Sequence, residues 1–459
     1  MISNKNLILI TTSTGIFFEA LDIAIINLAM PLVQVEYGLT ADTVQWVQTL
    51  YVLVYGGFLI LGGKASDVIG RKIIFISGCT LFLFTSLGAG LSSSFELLAI
   101  FRAIQGLAAA LMMPSALSII TNTFTEKQER SKALGIFSSF AAIGSGSGLS
   151  IGGIIATYWG WQWVFFINVP VIALTILMAY LYIDSDVKTS YKTSLDLFSG
   201  LLLTTTLTMI SYFVHELGNY AKNYTLLIML LVAICLSSWL LIRRLSRHKE
   251  PLIDMALFSN STIITTNVVI ALLGAIFTGY LFVISLVLQQ HMHISAARAG
   301  LILFPFSLLS AIVAKILTPK LLKYTNVHIT AIIGMVCMLA GTVMLIIATT
   351  LQYDFVLILV SVACISGFGI AICFTSLVML SIQGTPVQHH GVVSSVATTA
   401  HFLGAGLGLS LLSLAIQLPL VSEFVTVVPA MVLSVFACVG IGCLLTIQHK
   451  SQLEKKILL

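Results

Sequence analysis

The sequence predicts an all-α integral membrane protein with fourteen transmembrane helices. Of its 459 residues, 58% are hydrophobic and only 8% are charged, whereas soluble proteins carry about 25% charged residues. The apolar residues form fourteen runs, each close to the roughly 20 residues that cross a bilayer as a helix. Nearly all of the 22 Lys and Arg fall in connections on one side, if both termini are placed in the cytoplasm.

The runs follow one another from residues 7–29 to residues 426–447, separated by short polar connections. The longest predicted cytoplasmic connections, 184–196 and 243–262, are too short for a soluble domain. The first run continues past signal-peptide length without a small-residue cleavage site, so we expect no cleavable signal. The basic residues are scattered in short clusters, which argues against a nucleic-acid partner. The seven cysteines lie in apolar runs without CxxC spacing, which argues against disulfides or a metal site.

Two carboxylates interrupt the first apolar run. Inserting a charged side chain such as that of Glu19 or Asp22 into the membrane centre costs roughly 2.5–3.5 kcal/mol, so we expect both residues to have a functional role. They are three residues apart, and a helix places them on one face. We predict that this face lines a water-filled cavity and carries protons.

Other polar residues are predicted at the same depth. With a rise of about 1.5 Å per residue, Glu19 lies about 18 Å and Asp22 about 22 Å from the cytoplasmic surface. Arg102, in the fourth run, also lies about 22 Å from that surface. Asn168 falls in this layer, and Gln105 lies one turn deeper. We predict that Asp22, Glu19 and Arg102 couple transport to protons, and that Glu19, Asp22, Gln105 and Asn168 bind substrate.

Several motifs give the chain a resemblance to a known family. Gly63-Lys64-Ala65-Ser66-Asp67-Val68-Ile69-Gly70-Arg71-Lys72 resembles the loop motif of the major facilitator superfamily, and Arg102-Ala103-Ile104-Gln105-Gly106 resembles its fourth-helix motif. The glycine-rich segment 144–153 is similar to the antiporter motif. The segments 21–31 and 161–170 resemble motifs of the fourteen-helix drug:proton antiporters within that superfamily.

The resemblance implies a major facilitator fold with two six-helix bundles, at residues 1–190 and 251–459, and two inserted helices at 191–250. It implies a proton-coupled multidrug efflux antiporter that exports amphipathic, often cationic compounds across the cytoplasmic membrane. We therefore expect no enzymatic activity and no cofactor, with the proton gradient as the energy source. The expected partners are small-molecule drugs, protons and the lipid bilayer. We expect a monomer in a bacterial plasma membrane, with both termini cytoplasmic.

Two glycine-containing segments have predicted roles. Gly63 and Gly70 are expected to form tight turns, and Asp67 and Arg71 to pair with each other or with helix ends in the opposite half. The resemblance implies that this segment is a gating loop, and we expect it not to touch substrate. The near fourfold spacing of Gly135, Gly144, Gly148 and Gly152 predicts a packed, sliding interface between the two halves. The glycines assigned to the antiporter motif are Gly144, Gly148, Gly152 and Gly153.

Three positions depart from the family pattern. Leu149 replaces the usual proline of the antiporter motif, Gln162 replaces an arginine between two tryptophans, and His401 stands where Arg or Gln is expected. None of these changes removes a carboxylate, so they bear on substrate choice more than on coupling. We interpret His401 as a core histidine.

The remaining polar and aromatic candidates have simpler interpretations. Asp196 is expected to cap the seventh helix, and Asn27 to hydrogen-bond near a helix end. Aromatic residues of the second half are candidates for an apolar drug surface, although such residues more often face lipid or core; they are Phe277, Tyr280, Phe282, Phe304, Phe306 and Phe374.

Other functions remain open at this stage. The same carboxylates suit an exporter of a single endogenous metabolite, lipid or siderophore. The Asp22–Arg102 pair also suits a purely structural ion pair. A membrane-embedded enzyme or a structural subunit is the third alternative, but the sequence has no HExxH or GxSxG motif. Residues 62–66 lack the upstream glycine of a phosphate-binding loop, because Phe58 occupies that position.

Overall fold

The computed structural model describes residues 4–184, 196–248, 252, 260–351, 353–383, 390–417 and 427–457. Within these ranges, fourteen helices are long and apolar enough to cross a membrane. The first seven are α1 Asn4–Glu36, α2 Ala41–Ile69, α3 Arg71–Gly90, α4 Phe95–Thr123, α5 Lys127–Tyr158, α6 Trp163–Tyr182 and α7 Leu197–Glu216. The other seven are α8 Tyr220–Arg247, α9 Ser261–His291, α10 Ala296–Tyr324, α11 Val327–Thr350, α12 Phe355–Ile382, α13 His390–Gln417 and α14 Val427–Ile457.

The predicted number of spans is confirmed, and each predicted run overlaps one helix. The helix ends are set by local chemistry that hydropathy does not show. Ser94 caps α4 by accepting from the backbone N–H of Leu97 over 3.3 Å, and Asp354 caps α12 by accepting from Leu357 over 2.9 Å. Gly70 separates α2 from α3 with a φ of 123°, a conformation that favours glycine.

Many helix surfaces present large apolar side chains to the outside. On α8, these exposed side chains include Leu231, Val232, Leu236 and Trp239. A soluble protein rarely exposes an apolar surface of this extent, whereas a bilayer solvates it. The outward faces are therefore suited to contact lipid tails.

The chain divides into two compact units. The first contains Met1–Thr208, Ser237–Ile253 and Ile294–Phe304, and the second contains Met209–Leu236, Asp254–His293 and Pro305–Leu459. This division groups residues by spatial proximity, so it differs from the division along the sequence into two bundles and an insertion. The predicted domain boundaries therefore remain a prediction.

In the first unit, α1 packs along α5 and also contacts α4 and α6. A second set of contacts joins α4 to α2 and α3. The apolar core between these helices is built from interlocking side chains that include Ile16, Phe75, Phe82, Met112, Ile120 and Ile172. These contacts surround the middle of α1 with protein on several sides, and this is where the two carboxylates lie.

In the second unit, α9 is the central helix and packs against α12, α13 and α14. The Tyr280 hydroxyl of α9 lies 3.0 Å from the Ser361 hydroxyl of α12, and Ser361 donates to the carbonyl of Gly341 over 2.7 Å. Within the described ranges, three of the long helices contain a π-helical segment, Val287–His291, Val313–Leu317 or Ala363–Gly369. Such segments shift the register of the residues that follow them.

Candidate functional site: a buried carboxylate and its partners

Five helices of the first unit bring polar side chains to one point inside the apolar core. Three helices supply groups of side chains three to seven residues apart: Glu19 and Asp22 on α1, Gln48, Tyr51 and Tyr55 on α2, and Arg102 and Gln105 on α4. Ser86 on α3 and Asn168 on α6 complete the set. The spacings of three, four and seven place each group on one helix face. All of these side chains are buried.

An ion pair lies at the centre of this group. Arg102 donates from its Nη1 to the Oδ2 of Asp22 over 2.5 Å, and neither side chain is exposed to solvent. The predicted matching depth of the two residues is thus confirmed as a direct contact. The positive charge of the guanidinium favours the ionised form of Asp22.

The second carboxylate oxygen of Asp22 also has hydrogen-bond donors. Asn168 donates to Oδ1 over 2.9 Å, and Gln105 donates to the same atom over 3.3 Å. Both amides also reach the Ser86 hydroxyl, which accepts from Gln105 at 2.7 Å and lies 3.5 Å from the Asn168 amide nitrogen. A buried charge is tolerated when it is paired and hydrogen-bonded, and Asp22 meets both conditions.

Arg102 is held on every side. Its Nε donates to the carbonyl of Val47 over 3.3 Å, Nη2 donates to Gln48 over 3.4 Å, and Nη1 also donates to the side-chain oxygen of Gln105 over 2.7 Å. The guanidinium carbon lies 4.3 Å from the centre of the Tyr51 ring, a cation–π distance. The planar fork of arginine is needed for this combination, and lysine could not reproduce it.

Glu19 lies one helical turn from Asp22 in a different environment. Its side chain is 4% exposed, and the Tyr55 hydroxyl donates a hydrogen bond to it. Its other oxygen, Oε1, has no hydrogen-bond partner among the described residues, and neither has the Tyr51 hydroxyl. Glu19 therefore has a neutral partner and an unused acceptor, whereas Asp22 has a cationic partner and a complete set of donors.

Both carboxyl groups are enclosed by protein in this conformation. The sequence predicts that they line a water-filled cavity, but Asp22 exposes none of its surface and Glu19 only 4%. The reason is the close packing of α1, α2 and α4 around them. Solvent therefore does not reach Asp22 in this conformation.

Four residues of the site were missed by the sequence reasoning: Gln48, Tyr51, Tyr55 and Ser86. Gln48 is an amide within an apolar run, and its depth could have indicated it. The two tyrosines and the serine are common in transmembrane helices, so their identity gives no such signal. Only the packing of α2 and α3 against α1 and α4 brings them to the carboxylates.

The antiporter-motif glycines pack within the first unit. A Cβ atom at Gly144 would lie 2.3 Å from the backbone oxygen of Phe17, and one at Gly152 would lie 2.4 Å from the Ile25 side chain. Gly148 similarly approaches Leu21. The expected interface between the two halves is wrong for these three glycines, because they face α1, the helix that bears Glu19 and Asp22.

Gly153 points elsewhere on the same helix. A Cβ at this position would meet the backbone oxygen of Ala296 at 2.0 Å. Two hydrogen bonds lie beside this approach: Ser150 donates to the carbonyl of Gly300 over 2.9 Å, and the Ala297 N–H donates to Thr157 over 2.9 Å. The start of α10 is thus attached to α5 by backbone-level contacts.

The expected gating loop is mostly helical. Gly63 and Asp67 lie inside α2, which continues to Ile69, so the prediction of a turn at Gly63 is wrong. The open space beside Gly63, whose nearest neighbour would be Pro114 at 3.7 Å, gives that glycine no steric requirement. Gly70 alone makes the turn, and Arg71 begins α3.

Three further expectations concern single polar residues. Asp196 caps α7 as predicted, since it accepts from the Ser199 N–H over 3.2 Å and from the Ser199 hydroxyl. Asn27 donates to the carbonyl of Ile23 over 3.1 Å, within its own helix. His401 is half-buried beside Phe374, and its Nδ1 has no hydrogen-bond partner among the described residues, so the expected satisfied core histidine is only partly correct.

The aromatic drug-surface candidates divide by burial. Tyr280 and Phe282 are buried in the core of the second unit, at 0% and 1% exposure, and Tyr280 is hydrogen-bonded to Ser361. These two residues stabilise the packing of α9 instead of presenting a surface. The other four candidates, Phe277, Phe304, Phe306 and Phe374, are half-buried.

Comparison with known proteins gives the family. The family model of the Major Facilitator Superfamily matches residues 12–409. The chain is 27% identical over 406 residues to the multidrug resistance protein Stp of Mycobacterium tuberculosis (strain CDC 1551 / Oshkosh), covering 88% of this chain and 75% of Stp. It is 28% identical over 417 residues to the multidrug transporter protein MdtP of Bacillus subtilis (strain 168), covering 89% and 75%.

Solved structures show the same fold. The peptide transporter POT in complex with sulfate superimposes with a TM-score of 0.72 over 98% of this chain and 99% of that chain, at 13% identity. Together with the fourteen apolar helices, these matches establish a multi-pass membrane protein. The chain belongs to the major facilitator superfamily of membrane transporters.

Proposed function

We propose that this protein is a proton-coupled efflux antiporter that exports amphipathic, often cationic drugs from a bacterial cell. The observation that carries this proposal is the pair of carboxyl groups on α1, one locked to Arg102 and the other with an unused oxygen. The names of the relatives, a multidrug resistance protein and a multidrug transporter protein, support drugs as the substrate class over a single endogenous metabolite.

Asp22 is the proposed switch. A proton that binds Asp22 removes the charge that attracts Arg102 and competes with the donors Gln105 and Asn168. The arrangement then has two states, one with the ion pair closed and one with Arg102 released from it. Because the guanidinium contacts α1, α2 and α4, its release changes the packing of all three helices.

Glu19 is the proposed site of competition between proton and drug. When ionised, Glu19 offers a negative charge in a setting of low dielectric, where attraction to a cation is strong. When protonated, it offers none. A cationic drug and a proton therefore exclude each other at this side chain, which is the minimum condition for exchange.

Two carboxyl groups permit two protons in each cycle. One charge moving through the membrane potential contributes about 2.3 kcal/mol per 100 mV. Two protons entering for one monovalent cation leaving move one net positive charge inward, so the membrane potential adds to the pH gradient. A one-for-one exchange would use the pH gradient alone.

The remaining assignments complete the proposal. Both termini face the cytoplasm of the bacterial plasma membrane, the transporter acts as a monomer, and no cofactor takes part. Asp67 and Arg71, on either side of Gly70, act in gating. Asp67→Asn is expected to slow turnover while leaving equilibrium drug binding nearly unchanged, and a large loss of affinity would place this segment at the ligand instead.

A transport assay in liposomes tests the coupling. Purified protein is reconstituted, a pH gradient is imposed, and uptake of a fluorescent cationic drug is followed for Glu19→Gln, Asp22→Asn and the double variant. We expect Asp22→Asn to remove the response to the gradient, and Glu19→Gln to impair cationic drugs more than neutral ones. The control is Glu129→Gln, which removes an exposed carboxylate paired with Lys5.

Normal exchange rates in both single variants would show that the coupling assignment is wrong. The substrate class is tested separately with a panel of structurally unrelated drugs in the unmodified protein. Transport of several unrelated cations supports multidrug export. Transport of one compound only would favour the exporter of a single metabolite.

A further inference from the structure

A cavity lies at one end of the two helices α7 and α8, far along the chain from the carboxylates. Its volume is about 430 Å³, and one helix end supplies most of its lining. Three of the six lining residues are arginines; the lining consists of Phe198, Leu240, Arg243, Arg244, Arg247 and His248. The proposed transport cycle gives this cavity no role.

One of the three arginines is already neutralised. The Nη2 of Arg244 lies 2.8 Å from the Oδ1 of Asp196, and its guanidinium lies 5.1 Å from the centre of the Phe198 ring. Asp196 is itself fixed as the cap of α7 by its hydrogen bonds with Ser199. This ion pair joins the start of α7 to α8, and its arginine lines the cavity.

The other two arginines have no carboxylate partner among the described residues. Arg243 is exposed and lies 5.0 Å from the centre of the Trp239 ring, which fixes its direction without neutralising its charge. Arg247 is exposed one turn further along the same face. Within the described part of the chain, the cavity therefore has two uncompensated positive charges.

The walls of the cavity are apolar. Phe198 is 52% exposed and Leu240 37% exposed, and Trp239 beside the cavity is 52% exposed. These side chains continue directly into the apolar surface of α8, which includes Leu236. A ligand that satisfies the whole cavity needs an anionic group for the arginines and an adjoining hydrocarbon part for the wall.

We propose that this cavity binds the headgroup of an anionic phospholipid, with the lipid phosphate between Arg243 and Arg247 and an acyl chain along Leu240 and α8. Arginine suits phosphate because its planar N–H groups match the phosphate oxygens. Basic pockets between transmembrane helices are suited to such headgroups. A free anion leaves the apolar wall unused, and a cationic drug is repelled.

Lipid binding to the purified full-length protein tests the proposal. Native mass spectrometry follows the retention of phosphatidylglycerol as it is titrated, with phosphatidylcholine of the same chains as the zwitterionic comparison. The test variant is Arg243→Gln/Arg247→Gln. A second variant, Arg247→Gln alone, keeps the contact between Arg243 and Trp239. The matched control is Lys320→Gln/Lys323→Gln, which removes two exposed positive charges at the end of α10.

We expect the double arginine variant to bind phosphatidylglycerol about 30-fold more weakly, which converts to about 2 kcal/mol at about 1 kcal/mol per basic residue. The lysine control should retain the lipid as the unmodified protein does. An equal loss in the lysine control would overturn the proposal, because it would reduce the effect to overall charge. Equal retention of phosphatidylcholine would also overturn it.

A further arm separates a lipid from a free phosphate. Bound phosphatidylglycerol is challenged either with inorganic phosphate or with a short-chain phosphatidylglycerol, each at the same concentration. Weak displacement by inorganic phosphate supports the contribution of the apolar wall. Displacement as effective as that by the short-chain lipid would show a simple anion site and would overturn the assignment to a phospholipid.

Discussion

Arg102 and Asp22 are 80 positions apart in the chain, and their side chains meet at 2.5 Å in a part of the protein that solvent does not reach. The pair is embedded among neutral donors and acceptors from three other helices. Its charges are therefore balanced locally, and removal of either partner leaves the other without compensation.

A double-mutant cycle on this pair should show strong coupling. Arg102→Gln alone is expected to destabilise the protein by about 3–5 kcal/mol, because it leaves the Asp22 charge buried and unpaired. The double variant Arg102→Gln/Asp22→Asn removes both charges and should recover much of that loss. The stabilities of the single and double variants are measured in detergent by thermal unfolding midpoints and by denaturant unfolding. A loss in the double variant equal to the sum of the single losses would contradict the ion pair.

The two tyrosines on α2 provide a matched comparison. Tyr55→Phe removes the hydroxyl that is hydrogen-bonded to Glu19, and should cost about 0.5–1.5 kcal/mol of stability. Tyr51→Phe removes a hydroxyl without a partner among the described residues and keeps the ring against Arg102. It should leave stability unchanged or raise it. Thermal unfolding of both variants is the measurement, and equal losses would show that Tyr55 does not support Glu19.

The glycines of α5 allow a test with an internal control. Gly144→Ala places a methyl group against the backbone of Phe17, and should destabilise the protein by about 1–3 kcal/mol through overpacking. At Gly135 an added Cβ meets nothing within 4 Å, so Gly135→Ala should be neutral or stabilising by up to about 1 kcal/mol from helix propensity. Unfolding midpoints distinguish the two. A tolerated Gly144→Ala would show that α1 and α5 do not approach closely.

Gln162, which stands where the family pattern has arginine, still contacts a carboxylate. It donates to Glu36 over 3.2 Å, and the neighbouring Trp161 indole N–H donates to the same carboxylate over 2.6 Å. Gln162→Arg should add a surface ion pair that contributes about 0.2–1 kcal/mol at low salt. The gain should fall as salt is added, because exposed charges are screened. A gain that salt does not change would contradict an electrostatic origin.

The surroundings of Asp196 predict that the free energy of unfolding falls at acidic pH. Burial opposes its ionisation, but hydrogen bonds from Arg244 and Ser199 outweigh burial and lower the pKa of Asp196 below its ordinary value of 3.8. The ion pair therefore contributes fully above pH 3.8, and its contribution is lost as the pH falls through the lower folded-state pKa. Because Arg244 is partly exposed, the contribution should be only about 0.2–1 kcal/mol.

The measurement is the unfolding midpoint as a function of pH, from neutral pH to well below 3.8. Asp196→Asn should reduce the acid-dependent loss, and Arg244→Gln should reduce it to a similar extent because it removes the other partner. An unchanged acid dependence in Asp196→Asn would show that the pair does not contribute.

The layer of Asp22, Arg102 and Asn168 could be predicted because depth follows from sequence position alone. A straight helix rises by a constant amount per residue, so two residues on antiparallel helices can be compared without knowledge of their contacts. The rotation of each helix could not be predicted in this way. Gly144 illustrates the difference: its place in α5 is evident, but the neighbour that it faces is not.

The sequence by itself determined the number of transmembrane helices, the position of the two carboxylates and the family motifs. These properties follow from hydropathy and spacing along one chain. Only the tertiary structure decided that Gln48, Ser86, Tyr51 and Tyr55 complete the site and that both carboxyl groups are enclosed. The physical reason is that helices which are apolar on all faces carry little information about which face meets which neighbour, and side-chain packing between helices supplies it.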